Sequence, residues 1–319
     1  MMKELSMEFK RVTVSSQSVH LFFGLFFFGL LLTSSISAAF IAPSVRSIYS
    51  DTFDSTETSD VEYWALLIAV GVYEFVPEMD RPTMLQEVAN FEDLLLSTDN
   101  FDAEHIKVIK AEDATVINIA KGFRWLDDHE DENDFSLVYL TTHGFPHWWD
   151  RPPFDESDGR DEALATYRGF LPIESPFRWE HMSNPFGIIL DDQFNHWFNN
   201  LESQGVGVIV DSCHSGGFND YFSFQRMHDS NQFAVDFAKE LQGQNRIVVT
   251  SVPEEEVSYG SYFSHYLIQG MYGVADTDYD NIVTMEEAFI YAKDRVESQT
   301  RMSPQIFDHY PGELPVTHI

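Results

Sequence analysis

The chain holds one cysteine, Cys213, in the run DSCHSGG (211–217). A thiol attacks carbonyl carbon as its thiolate, so a lone cysteine is either an inert buried side chain or a group activated by a base or a positive field. Upstream, TTHGF (141–145) carries His143 followed by Gly144. A histidine can supply that activation without being next in sequence. Glycines beside each residue let backbone N–H groups approach a developing oxyanion, which makes the amides of Gly144 and Cys213 candidate oxyanion donors. His214 adjoins the cysteine, but adjacency along a turn points it elsewhere. With a single cysteine no intramolecular disulfide can form.

For this chemistry to work, His143 and Cys213 must be carried to one place by regular elements. YWALLIAVGV (63–72), HIKVIKA (105–111), FSLVYLTT (135–142), VGVIVD (206–211) and RIVVTS (246–251) read as strands. Between them, Met84, Val88, Phe91 and Leu95, then Val116, Ile119, Phe123 and Leu126, then Phe194, Trp197 and Leu201 recur at helical spacing. Near-continuous Val/Ile/Leu strands alternating with helices predict an α/β fold, a mostly parallel sheet covered by helices on both faces. In such sheets function collects at the carboxyl ends of the strands. The third strand is expected to stop at Thr142 and the fourth at Asp211–Ser212, which sets His143 and Cys213 just beyond neighbouring strand ends.

At this point a resemblance becomes specific. TTHGF and VIVDSCHSGGF resemble the His and Cys motifs of the caspase/metacaspase superfamily, in the same order. SDGRDEAL (157–164) is similar to the DGxDEAL segment of metacaspases and IILDDQF (188–194) to their DDEL segment, with further matches in RIVVTSVPEEE, YFSHYLIQGMYG and SPQIF. Coverage runs from about Tyr63 to Pro315. The resemblance implies a caspase-like three-layer sandwich and a cysteine peptidase with a Cys213–His143 dyad acting on peptides or proteins. It also implies that Asp211 lines the pocket for the residue preceding the cleaved bond (P1) and selects Arg or Lys. No Arg or Lys flanks Cys213, as a caspase pocket for Asp would require. Asp158, Asp161 and Glu162 are either a solvated acidic loop or further pocket carboxylates. The calcium ligands of one metacaspase group would fall on Asp191, Asp192 and Asp220, but Arg168 stands where another aspartate is expected. An Arg168–carboxylate bridge would replace the metal there.

A second cation site is suggested by spacing alone. DTDYDNIVTMEE (276–287) places oxygen ligands at the positions of an EF-hand loop: Asp276, Asp278, Asp280, the Ile282 carbonyl, Thr284 and Glu287. Asn281 replaces the usual glycine, and asparagine tolerates the left-handed backbone needed there. AFIYAKDRV then repeats as an exit helix would. Metal-free capping of that helix by the acidic loop is the alternative. DDHEDEND (127–134) reads as a solvated turn, and HWWD (147–150) as a cleft cap or plain packing.

With 52 acidic against 19 basic residues the net charge is −33, which argues against nucleic acid and anionic membrane surfaces as partners. Lys3, Lys10 and Arg11 precede a stretch, Val12 to Val45, without charged residues, centred on LFFGLFFFGLLL (21–32) and followed by SSISAA. Residues 1–45 are therefore expected to be a signal peptide or membrane anchor, 46–60 a linker and 61–319 the peptidase domain, outside the cytoplasm. Two competing readings are a legumain-like or gingipain-like peptidase of other P1 preference and an inactive caspase-like scaffold that binds calcium.

Overall fold

The computed structural model describes residues 60–147, 151–154, 159–173, 180–214, 233–251, 261–300 and 303–319. The apolar stretch expected to be a signal peptide or anchor lies outside them; among the described residues no helix is long and apolar enough to cross a membrane.

Every residue of β1 (Tyr63–Ala69) is buried. That is what a strand covered on both faces requires, and it explains the absence of apolar–polar alternation. The main sheet runs β11–β9–β8–β3–β1–β2, with β2 at Ile106–Lys110, β3 at Phe135–Pro146, β8 at Gly205–His214, β9 at Arg246–Thr250 and β11 at Gln305–Asp308. β1, β2, β3, β8 and β9 are mutually parallel, and β11 closes the edge antiparallel. The sheet branches at β3, whose far end pairs antiparallel with β4 (Glu162–Ala165), which pairs in turn with β7 (Ile188–Leu190).

Two hydrophobic layers flank the sheet. On one face lie α2 (Val116–Asp127), α3 (Asp191–Phe198) and α4 (residues 233–240), packing Phe123, Phe194, Phe198 and Phe237 against Leu66, Val138 and Val208. On the other lie α1 (Thr83–Leu95), α5 (Tyr262–Gln269) and α6 (Met285–Gln299), packing Phe91, Phe263 and Phe289 against Leu67, Tyr139 and Ile209. The expected sandwich is therefore present. A hairpin of β5 (Phe170–Ile173) and β6 (Glu180–Ser183) and a pair formed by β10 (Ile282–Thr284) and β12 (Pro315–His318) complete the described strands.

Two expectations are corrected. The strands do not stop before the candidate residues: β3 continues through His143 to Pro146 and β8 through Cys213 to His214. The physical reason is pairing, since β4 supplies antiparallel partners for Gly144, Phe145 and Pro146 while β3 and β8 keep pairing with each other as far as Gly144 and His214. The acidic run 127–134 is not simply solvated either. Asp134 is buried and accepts from the Glu62 N–H at 2.9 Å and the Trp64 indole at 3.1 Å, and Glu130 accepts from the Glu202 N–H at 2.8 Å.

Candidate active site

His143 and Cys213 are register partners on adjacent parallel strands. Neighbouring strands lie about 4.8 Å apart, so their backbones are immediate neighbours across the sheet. His143 is 1% exposed, and its Nε2 lies 2.8 Å from the Met79 carbonyl oxygen. A carbonyl only accepts, so Nε2 carries the proton and donates it, which leaves the lone pair on Nδ1 as the basic nitrogen. The ring stacks on Tyr73 at 5.2 Å with a 20° tilt, and Phe170 lies 6.1 Å away. Met79 and Tyr73 both belong to the loop joining β1 to α1, which is closed by the Tyr73 N–H donating to Asp80 at 2.8 Å.

Gly144 is required by space. A Cβ there would lie 2.3 Å from Phe233 Cζ and 2.4 Å from Ser212 Oγ. Only a residue without a side chain lets β3, β8 and α4 approach this closely next to the histidine.

One turn of strand below the pair, Asp211 is 1% exposed. Its Oδ1 accepts from the Ser251 hydroxyl at 2.5 Å and its Oδ2 from the Ser264 hydroxyl. Beside it is Glu87, a residue sequence reasoning passed over, 5% exposed on α1. Glu87 Oε1 accepts from the Ser261 N–H at 2.6 Å, and Oε2 lies 3.3 Å from Thr141 Oγ1 and 3.4 Å from the Tyr139 hydroxyl. Burial, followed by the negative charge of Asp211, pushes Glu87 up to about 8, so it holds its proton at neutral pH. Protonation also completes the hydrogen-bond order. Ser264 donates to Asp211 and accepts from Tyr139 at 2.8 Å, leaving the phenol oxygen able to accept from Glu87. The sequence did carry a signal: Met84, Glu87, Val88 and Phe91 share the inward face of α1, where an acid is out of place unless it has partners.

Asp161 is buried too, but elsewhere. It accepts from the Arg151 N–H at 2.9 Å, and its carbonyl takes the His147 N–H at 2.6 Å. His147 lies six residues beyond Thr141, the register partner of Asp211, or roughly 20 Å along the strand. The structure thus separates Asp161 from Asp211; Asp158 lies outside the described residues. Asp191 accepts the N–H groups of Glu162 and Asp192, each at 2.9 Å, and burial raises its pKa against those bonds. Among the described residues Arg168 pairs with Glu74, a carboxylate outside the Asp191 cluster. Asp220 lies outside the described residues.

The 276–287 loop has the anticipated turn, with Asn281 at φ 69°. Carboxylate oxygens of Asp276, Asp278 and Glu287 lie within 4.8 Å of one another, a span that suits a cation with bonds of about 2.4 Å. Asp280 is turned instead to the Ile282 N–H at 2.7 Å, and Thr284 caps α6 through the Glu287 N–H at 3.2 Å. Ile282 is engaged through backbone pairing with β12. Of the four expected carboxylate ligands, Asp276, Asp278 and Glu287 therefore converge and Asp280 is not among them, while Thr284 Oγ1 lies 3.3 Å from Glu287 Oε2. Glu287 is held below the usual carboxylate range: burial opposes ionisation, but bonds from Thr277 and Thr284 outweigh it.

A parallel sheet between two helical layers, with a histidine and a cysteine in register on its central strands, is the architecture of the caspase-like peptidases. The chain belongs to the caspase domain family, whose sequence pattern it matches over residues 62–312. It is also similar in fold to the crystal structure of a Geobacter sulfurreducens protein, with a TM-score of 0.51 and 12% identity over 77% of this chain and 92% of that one. No curated protein matches the sequence.

Proposed function

We propose that this family member is an active cysteine endopeptidase with Cys213 as nucleophile and His143 as general base, and that it cleaves after Arg or Lys. The observation that carries the reading is the register pairing of the two residues together with the Met79 carbonyl, which keeps the Nδ1 lone pair of His143 basic. In this mechanism Nδ1 takes the thiol proton and the thiolate attacks the scissile carbonyl carbon. The oxyanion is received by the amides of Gly144 and Cys213. Collapse expels the amine, which takes the proton back from Nδ1, and a water deprotonated by the same nitrogen hydrolyses the thioester.

For P1, the buried pair Asp211 and Glu87 supports recognition of a cation. A guanidinium or ammonium group near two carboxyls favours ionisation of Glu87, so its proton leaves as the substrate arrives. An aspartate at P1 would meet repulsion from Asp211 instead. The 276–287 loop is proposed to hold a structural Ca2+ through Asp276, Asp278 and Glu287, remote from the chemistry.

The test is a peptide-library cleavage profile of the wild type, Cys213→Ala and His143→Ala. Cleavage after Arg or Lys is expected, abolished in the first variant and reduced by several orders of magnitude in the second. Turnover retained by Cys213→Ala would sink the reading. Cleavage after Asp or Asn would keep the dyad but favour the legumain-like alternative. No cleavage, with slow alkylation of Cys213 by iodoacetamide at neutral pH, would make the chain an inactive scaffold.

A further inference from the structure

Along the edge of β3 that faces β1 and β4 there is a gap in the pairing. The last β1 partner is Ala69, opposite Thr141, and the first β4 partner is Leu164, opposite Gly144. Thr142 and His143 fall between the two strands. A buried N–H without an acceptor there would be costly and would leave the strand end free to move. The gap is filled by one side chain. The Tyr73 hydroxyl oxygen accepts the His143 N–H at 3.2 Å and lies 3.1 Å from Thr142 Oγ1, which in turn lies 2.6 Å from the Ala165 carbonyl oxygen on β4.

These bonds admit a single order of protons. The His143 N–H can only donate and the Ala165 carbonyl can only accept, so Tyr73 donates to Thr142 and Thr142 donates to Ala165. The relay therefore ties the backbone of His143 to β4 through a residue of the β1–α1 loop. The same tyrosine stacks its ring on the imidazole. Tyr73 is buried, and burial pushes its phenol far above the ordinary range, so the relay does not change state across the working pH range. Its backbone is fixed as well, by the Asp80 carboxylate on the Tyr73 N–H, and Asp80 directly follows Met79, whose carbonyl sets the His143 tautomer.

We infer that Tyr73 is a positioning residue for the catalytic base: its hydroxyl holds the strand end that carries His143, and its ring fixes the plane of the imidazole. The inference rests on the peptidase reading of His143. It is specific to the pairing gap, because a residue with no hydroxyl at this position would leave the His143 N–H unsatisfied, and a residue with no ring would leave the imidazole face uncovered.

The experiment compares the full-length wild type with Tyr73→Phe, Tyr73→Leu and, as a control, Ser203→Ala, which removes a buried hydroxyl bond in the Glu130 cluster at the opposite end of the sheet. Tyr73→Phe keeps the stack and is expected to lower kcat about tenfold with KM within about twofold. Ser203→Ala is expected to lower the melting temperature comparably and leave kcat at the wild-type value. In a Cys213→Ala background, the imidazole of His143 should titrate at an unchanged midpoint in Tyr73→Phe. In Tyr73→Leu the midpoint should fall by about half a unit, because the π-face that stabilises the imidazolium is gone. A Tyr73→Phe enzyme within twofold of the wild type in kcat overturns the inference, as does a loss no larger than that of Ser203→Ala. A wild type that cleaves no peptide and whose Cys213 resists iodoacetamide defeats the peptidase reading instead, so the two failures are distinguishable.

Discussion

Asp211 and Glu87 are the side chains whose chemistry depends most on each other. Two carboxyls so deeply buried are not both ionised without a cation, and Glu87 carries the proton until about pH 8. An unfolded glutamate titrates near 4.5, so the native state binds the extra proton between those two values. Stability should therefore fall as pH rises from about 4.5 to about 8, by an amount on the order of a few kcal/mol, and Glu87→Gln should remove that slope in urea titrations. The proposed recognition of a P1 cation has the opposite sign. Binding of an Arg substrate should tighten as pH climbs toward 8 in the wild type and stay flat in Glu87→Gln. Asp211→Ala should cost Arg substrates about 2–5 kcal/mol in kcat/KM while alkylation of Cys213 continues at the wild-type rate. Equal slowing of alkylation would assign Asp211 to thiol activation rather than recognition.

At the scale of elements, the decisive feature is how far β3 and β8 extend. Their continuation past the ends of β1 and β9 puts His143 and Cys213 in register at the rim of the sheet, where β9 has already stopped at Thr250 opposite Val210. The close approach depends on Gly144, since Phe233 and Ser212 occupy the volume of any Cβ. Gly144→Ala should force β3 and α4 apart at a cost of about 1–3 kcal/mol, read as a lower melting temperature. It should also slow alkylation of Cys213, because the strand that carries the proposed base, His143, moves. A variant with wild-type stability would mean that α4 gives way easily.

The whole molecule is strongly acidic, and its proposed cation loop sits on the helical layer far from the dyad in sequence. A metal that binds only the native state stabilises it by mass action. Calcium should therefore raise the melting temperature of the wild type, and Asp276→Ala or Glu287→Ala should remove most of that increment while scarcely changing the value in chelator. Melting temperatures that are equal with and without calcium would leave the loop metal-free, its carboxylates serving as caps. Export is tested on intact cells. Protease added outside should digest residues beyond Arg46, and full protection would remove the argument from the apolar leader.

How much of this was legible in the chain follows from the range of the forces involved. Hydrophobic periodicity is local, so β1, β2, β9, α1 and α2 were readable to within a few residues, and with them the covered parallel sheet. Cys213 and His143 stood out because thiol and imidazole chemistry belongs to residue types flanked by glycines. The αL turn at Asn281 was readable for the same reason, as one residue's backbone preference. Contacts between segments distant in the chain were not. The Met79 carbonyl that orients His143 has no side-chain signature, and any residue at that position presents the same oxygen. Tyr73 carries no signal of its role in the sequence; only the pairing gap between β1 and β4 gives its hydroxyl a purpose. The separation of Asp161 from Asp211, and the meeting of Asp211 with Glu87, arise because strand length and helix placement are settled by pairing and packing over the whole sheet. Residue type and local periodicity determined which chemistry was available and on what scaffold; the tertiary structure decided which groups face each other, because distances between elements are set only when the core closes.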